Sequence, residues 1–424
     1  MKKILGKIVN RLDKFSRKTA KLDLKYLIKS GGWRISENFS GILASFLISV
    51  AFANLLPVKD FGIYKYLLSI AGVMTFLTFN GIGIAVTQAV AKGYDAALIA
   101  AIRFQQRWNL IYVASLLAIA GYYFYKSNYL FAISLAVLAF TIPLTSIYST
   151  YTSFLLGKKE FKEAALYSLV KNIIRLVITI TVLIITKSIF ALIITSALVL
   201  LLPNMFFYKR TLDKFSVPSK TDPSKDKDLF VFGLHRSLIG VVSTLASYID
   251  SILVFQLIGP IQLAIYSFAQ SIPDVGKGII KNIISIYFPK LANRSLNTIR
   301  SVFLLRMVQS MVAGAIFSIA MIIITPPVFQ FVFPRYIDSI FYAQLMALAF
   351  VFMVPNTYIA YILNSQKMVS SIYLVSVSTS VIRITSIVSL GFIFGVIGII
   401  IGKLIGDFFG LLIGYITIQK TSRS

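Results

Sequence analysis

The sequence predicts an all-α integral membrane protein with twelve transmembrane helices in two homologous six-helix bundles. Two observations carry this reading. Of the 424 residues 57% are hydrophobic and only 13% charged, with a mean hydropathy of +0.83, which leaves too little polar surface for a soluble globule. In addition, Phe39 to Tyr64 (FSGILASFLISVAFANLLPVKDFGIY) returns without a gap as Val241 to Tyr266 (VVSTLASYIDSILVFQLIGPIQLAIY), 202 residues later. Leu43-Ala44-Ser45 recurs as Leu245-Ala246-Ser247, Ile63-Tyr64 as Ile265-Tyr266, Arg34 as Arg236 and Asn80 as Asn282. An offset near half the length implies two related bundles, an arrangement in which transporters place a substrate between their halves.

The chain opens with ten Lys or Arg and two Asp in its first 29 residues, with Ile4, Ile8, Leu12, Phe15, Leu22 and Tyr26 at roughly helical spacing. This predicts a basic amphipathic segment over 1–30 that lies on anionic lipid headgroups. Six spans follow at 33–56, 62–88, 108–125, 129–156, 165–186 and 188–208, forming a first lobe over 31–208. Each is near the roughly 20 residues that cross about 30 Å of hydrocarbon. The stretch 209–228 is polar, contains two prolines and reads as the linker. A second lobe, 229–419, holds spans at 229–256, 264–288, 303–325, 340–363, 371–392 and 395–418, with a tail at 420–424. The last division rests on a glycine turn near Phe394-Gly395.

Basic residues orient these spans. Alternate connections hold Lys92, Arg103 and Arg107, then Lys158, Lys159 and Lys162, then the linker, then Lys290, Arg294 and Arg300, then Lys367. The opposite connections offer Lys59, Lys126, Lys187 and Arg335. Both termini are therefore expected on the cytoplasmic side of a prokaryotic cytoplasmic membrane. The net charge of +27 is accounted for in this way, without nucleic acid. No cysteine is present and only one histidine, so disulfides, thiol chemistry and a histidine metal site are excluded. Short basic connections leave no room for a catalytic domain, and no nucleotide-binding glycine loop with its lysine occurs. Secondary transport or lipid translocation remains, without a cofactor and with coupling to a proton or sodium gradient as an option.

Charges inside spans cost roughly 2.5–3.5 kcal/mol each on insertion scales and so mark cavities or partners. The candidates are Lys65, Arg236, Lys277 and Lys281 as a cationic substrate site, with Asp250 and Asp274 as ion-coupling groups or charge partners. Arg34, Glu37, Asn80 and Asn282 are further cavity candidates. Asp274, Lys277 and Lys281 lie at i, i+3 and i+7, on one helical face. Pro273, Gly276 and Gly278 beside them predict a kinked or unwound helix. Structural readings stand beside these: Arg34 and Glu37 as an interfacial ion pair, Arg236 as a positive-inside anchor, Lys65 as a snorkelling side chain. Arg175 and Arg306 read as residues near cytoplasmic ends, and Lys403 and Asp407, at i and i+4, as an ion pair within the last helix.

Phe61-Gly62-Ile63-Tyr64, then Asn80-Gly81-Ile82-Gly83, resembles the amino-terminal region of prokaryotic polysaccharide flippases of the Wzx type, in the multidrug/oligosaccharidyl-lipid/polysaccharide (MOP) exporter superfamily. Leu257-Ile258-Gly259-Pro260, Ile265-Tyr266-Ser267 and Phe288-Pro289-Lys290-Leu291 are similar to the family's second half, and Gly157-Lys158-Lys159 with Phe161 to its loop after the fourth span. The resemblance implies a MATE-like fold with two lobes around a V-shaped cationic cavity. It also implies transport of polyprenyl-diphosphate-linked oligosaccharide to the outer leaflet for surface polysaccharides such as O-antigen. Other polysaccharide assembly proteins are implied partners, and a monomer is expected because the two lobes already supply the interface. The competing readings are multidrug extrusion, which would favour buried carboxylates, a lipid II flippase, which is expected to carry helices beyond twelve, and a membrane-embedded transferase.

Overall fold

The structure is a computed structural model that describes residues 24–285, 296–366 and 368–420, except for the side chains of 24–31, 34, 35, 239, 281–283, 285 and 297. The expected basic segment lies mostly outside the described residues, as do Lys290, Arg294, Lys367 and the tail at 421–424. The first half contains α1 (Leu24–Leu55), α2 (Val58–Met74), α3 (Ile82–Ala91), α4 (Ala97–Tyr125), α5 (Tyr129–Ser149), α6 (Tyr151–Gly157), α7 (Phe161–Ile185) and α8 (Ile189–Phe215). The second contains α9 (Pro223–Leu257), α10 (Pro260–Ser285), α11 (Leu296–Ser301), α12 (Phe303–Val332), α13 (Ser339–Ala347), α14 (Phe350–Ser365) and α15 (Val369–Lys420). No strand occurs among the described residues.

Among the described residues nine helices are long and apolar enough to cross a bilayer, and α13 with α14, bent by 43°, make a tenth. The 26-residue α10, with its charged stripe, adds another. Helix α15 counts twice, because Gly395 takes φ 58° and ψ −134°, a conformation that other residues avoid, and turns the chain back on itself. The two arms then meet along a stripe of glycines. A Cβ on Gly398 would lie 1.9 Å from Leu390 O, on Gly402 2.6 Å from Ile387 N, and on Gly406 2.7 Å from Arg383 Cβ. Small residues every fourth position let helices approach where no hydrophobic effect drives them together. The twelve-span fold is thus realised, and the glycine turn divides the last two spans.

The repeat persists in the element ends: α1 stops at Leu55 and α9 at Leu257, and α2 starts at Val58 and α10 at Pro260. Within the first half, α1 packs on α7, α4 on α5, and α5 on α8; within the second, α9 packs on α15, and α12 and α15 on α14. Helix α2 crosses between them and packs on both α9 and α10. Large apolar side chains such as Leu110, Phe206, Ile316, Ile323 and Phe392 are left exposed on the outside, as a lipid-facing surface requires.

Three expectations are corrected. The second span is not one helix: it breaks between Leu77 and Ile82, where Asn80 Nδ2 donates to Thr75 O at 3.2 Å and replaces part of the lost helical bonding. The third begins at Ala97, so Arg103 and Arg107 sit inside a helix rather than in a connection. Helix α10 continues through Pro273 without unwinding, and its glycines serve close packing: Gly276 against Phe317 and Phe350, Gly278 against Ile42. The non-helical join between the halves is short, since α8 runs to Phe215 and α9 begins at Pro223 behind the N-cap Asp222, which accepts from Ser224 N at 3.0 Å.

Candidate functional site

A central cavity of about 940 Å³ lies between the halves, walled by α1, α2, α7, α9 and α10. Its floor is aromatic. Phe61 and Phe268, from equivalent helices but not equivalent positions of the repeat, meet at 4.6 Å between ring centroids, and Tyr336 packs beneath Phe268 at 3.9 Å. Beyond the floor, α2 and α10 touch backbone to backbone: a Cβ on Gly62 would lie 1.8 Å from Pro260 O. Tyr66 stacks on Phe255 at 3.7 Å and its hydroxyl accepts from Gln256 Nε2, which completes a seal at this end. The cavity extends from this seal toward Glu37, Asn38 and Thr75, with Asn38, Ser45 and Ser247 exposed on its walls.

Four charged side chains line it: Glu37, Lys65, Arg175 and Asp274. Asp274 is engaged by Lys277, whose Nζ donates to Asp274 Oδ1 at 2.8 Å, and Glu37 also has an interaction. Lys65 and Arg175 make no ion pair among the described residues. The Lys65 ammonium lies 5.5 Å from the centroid of the Phe61 ring, a cation–π position, and feels the charges of both Asp274 and Arg175. The remaining lining is small and polar, with Ser45, Ser49, Ser69, Ser247 and Gln270 among it.

Residues 27–295, more than half of the chain, match the family described as polysaccharide biosynthesis protein. The chain belongs to that family. Its fold is that of solved transporters of the MOP superfamily. An inward-facing multidrug resistance MATE family transporter superposes with a TM-score of 0.72 at 15% identity, over 93% of this chain and 100% of the other. The outward-facing conformation of a multidrug resistance MATE family transporter gives 0.65 at 15% identity, over 94% and 97%. A MOP superfamily transporter from Pyrococcus furiosus Vc1 (DSM3638) gives 0.62 at 14% identity, over 94% and 97%. No curated protein matches the chain. Family and fold make it a multi-pass membrane protein with a transporter architecture.

Of the residues singled out from sequence, the structure brings Lys65, Glu37 and Asp274 to the central cavity. Lys277 is turned to a second cavity inside the later half and meets the first only through its bond to Asp274. Arg236 lines neither cavity; its backbone packs against Gly81, where a Cβ would lie 2.3 Å from Ser237 N. Asn80 lines neither and is spent on the break after α2, where Ser146 Oγ donates to its Oδ1 at 3.4 Å. The side chains of Arg34, Lys281 and Asn282 lie outside the described residues.

Asp250 is buried and fully engaged. Lys403 Nζ donates to Oδ2, as do Tyr266 Oη at 2.7 Å and Gln270 Nε2 at 3.2 Å, while Ser251 N donates to Oδ1 at 2.7 Å. The expected pair of Lys403 with Asp407 does not form, because Asp407 instead accepts from Arg383 across the glycine stripe. Arg175 is the residue sequence reasoning misplaced: it stands midway along α7 and reaches the central cavity. The uninterrupted apolar run that follows it, Leu176-Val177-Ile178, was the available signal. Arg306, by contrast, is exposed near the start of α12, at a helix end.

Proposed function

We propose that the chain is a flippase that carries polyprenyl-diphosphate-linked oligosaccharide from the cytoplasmic to the outer leaflet for surface polysaccharide assembly, by alternating access through the central cavity. The observation that supports it most is the pair of unneutralised cations, Lys65 and Arg175, in one cavity whose carboxylates Glu37 and Asp274 already have partners. Two cations lining one cavity fit a diphosphate, with guanidinium offering a two-pronged contact and ammonium a point charge. A cationic drug would need a free buried carboxylate, and Asp250 and Asp274 are both held by lysines. The P. furiosus superfamily transporter is itself described by a binding pocket of reverse polarity that suggests a different function, so cavity sign varies on this fold.

With the basic connections on the cytoplasmic side, the Gly62–Pro260 seal is the outer gate and the cavity is the inward-facing state. The test is translocation of a fluorescent diphosphate-linked oligosaccharide in proteoliposomes, under no gradient, a proton gradient and a sodium gradient. Transport by the native chain that is lost in Lys65→Ala/Arg175→Ala is the expected result. Absence of native transport under every gradient, together with extrusion of a cationic dye, would replace this reading with drug efflux.

A further inference from the structure

The second half has a half-open cavity of its own, about 620 Å³, between α9, α10, α14 and α15. Its size falls within the roughly 300–1,000 Å³ of small-molecule sites. Its electrostatics differ from those of the central cavity, because each charged side chain on its walls is matched. Lys403 is paired with Asp250, Arg383 with Asp407, and Lys277 with Asp274. Among these locked pairs stand amides and hydroxyls. Asn356 Nδ2 donates to Asp407 O at 2.8 Å and Asn364 Nδ2 to Ala360 O at 2.7 Å, and neither amide oxygen accepts a bond among the described residues. Thr357 and the ring of Tyr361 share the wall, and the buried Nε–H of Arg383 has no acceptor among the described residues.

A cavity with fixed donors and acceptors, an aromatic ring and no surplus charge is matched to a neutral polyhydroxylated ligand. Such a ligand needs many oriented hydrogen bonds, and these amides and hydroxyls are placed to supply them. An ion or a diphosphate would find no free charge to meet it here. Ser247 and Gln270 line both cavities, so a molecule with an anionic part and a neutral part can lie across them.

We infer that this second cavity binds the glycan of the substrate while Lys65 and Arg175 hold its diphosphate. The inference rests on the flippase reading above and adds where the sugar goes. The test uses the full chain in lipid nanodiscs and two probes: undecaprenyl diphosphate, and lipid-linked oligosaccharide extracted from cells that make the chain. The native chain is expected to bind the glycosylated lipid about tenfold more tightly than the bare one. Ala360→Trp, which fills the cavity, and Asn364→Leu, which removes an exposed amide from its wall, should each bring the glycosylated lipid down to the bare lipid's affinity and leave the bare lipid unchanged. Lys65→Ala/Arg175→Ala should weaken both.

Equal native affinity for the two lipids overturns the glycan site and leaves the flippase reading intact. So does a native-like preference in both wall variants, or an equal loss for both lipids in folded wall variants. If the native chain binds neither lipid, the flippase reading fails and the glycan site fails with it.

Discussion

Lys403 and Asp250, 153 residues apart in sequence, form an ion pair that ties the last span to α9, with Tyr266 and Gln270 closing around the same carboxylate oxygen. Asp250 is 1% exposed, so its charge depends on that lysine. Breaking a buried pair by removing one partner costs about 3–5 kcal/mol, whereas replacing both with apolar groups of similar volume is near neutral. Lys403→Met alone should therefore lower the melting temperature in detergent markedly, and Asp250→Leu added to it should recover most of the loss. Equal melting of the native chain and the single variant would show that the pair carries no stability.

Gly62 admits no side chain while the seal is closed, because its Cβ position lies 1.8 Å from Pro260 O. Gly62→Val should hold that end apart. The chain has no native cysteine, so spin labels at Lys59→Cys and Ile261→Cys, both exposed, report the separation without background. The interspin distance is expected to lengthen in Gly62→Val. An unchanged distribution would mean that the backbones part by sliding elsewhere and that this contact is not the gate.

At the opposite end Tyr94, in the connection between α3 and α4, fastens the join between the halves. Its hydroxyl donates to Asp226 Oδ1 at 2.6 Å and accepts from Asp222 N at 2.9 Å. Burial first, and then the Asp226 carboxylate, push its phenol up to about 12 from the ordinary 10. The unfolded chain releases this proton near pH 10 and the folded chain keeps it to about 12, so stability is whole below pH 10 and falls between 10 and 12. Tyr94→Phe should flatten that part of the melting profile relative to the native chain. Identical alkaline slopes would place the titration elsewhere.

The fold was legible because two signals were redundant: apolar runs of bilayer length, and a repeat whose register survives in the helix ends at Leu55 and Leu257. Arg175 apart, the charges on the central cavity, Lys65, Glu37 and Asp274, were legible one at a time, since a charge in an apolar run demands a reason. Their partners were not. Lys403 and Asp407 are correctly spaced for a pair on one helix, but Gly406 has no side chain, so Arg383 comes close enough to take Asp407 and leaves Lys403 to Asp250. The choice depends on lateral packing between distant segments, which spacing along one helix does not contain. Pro273 misled in the same way: the neighbouring glycines signalled unwinding, yet they admit Phe317, Phe350 and Ile42 against a continuous helix.

The two arginines offer the sharpest discrimination between cavity and anchor. Arg175 stands on the central cavity wall with no ion-pair partner among the described residues, whereas Arg236 packs its backbone against Gly81 away from both cavities. A hydrogen bond to a charged group contributes about 1.5–3 kcal/mol, so losing the contact between Arg175 and a diphosphate should slow translocation by roughly 10- to 100-fold. Arg175→Ala is expected to fall in that range and Arg175→Lys between it and the native rate, because lysine keeps the charge but not the two-pronged geometry. Arg236→Ala should translocate like the native chain. The reverse order in the proteoliposome assay would move the anion from the α7 wall to α9, and would mean that the transporting conformation brings Arg236 inward past the Gly81 contact.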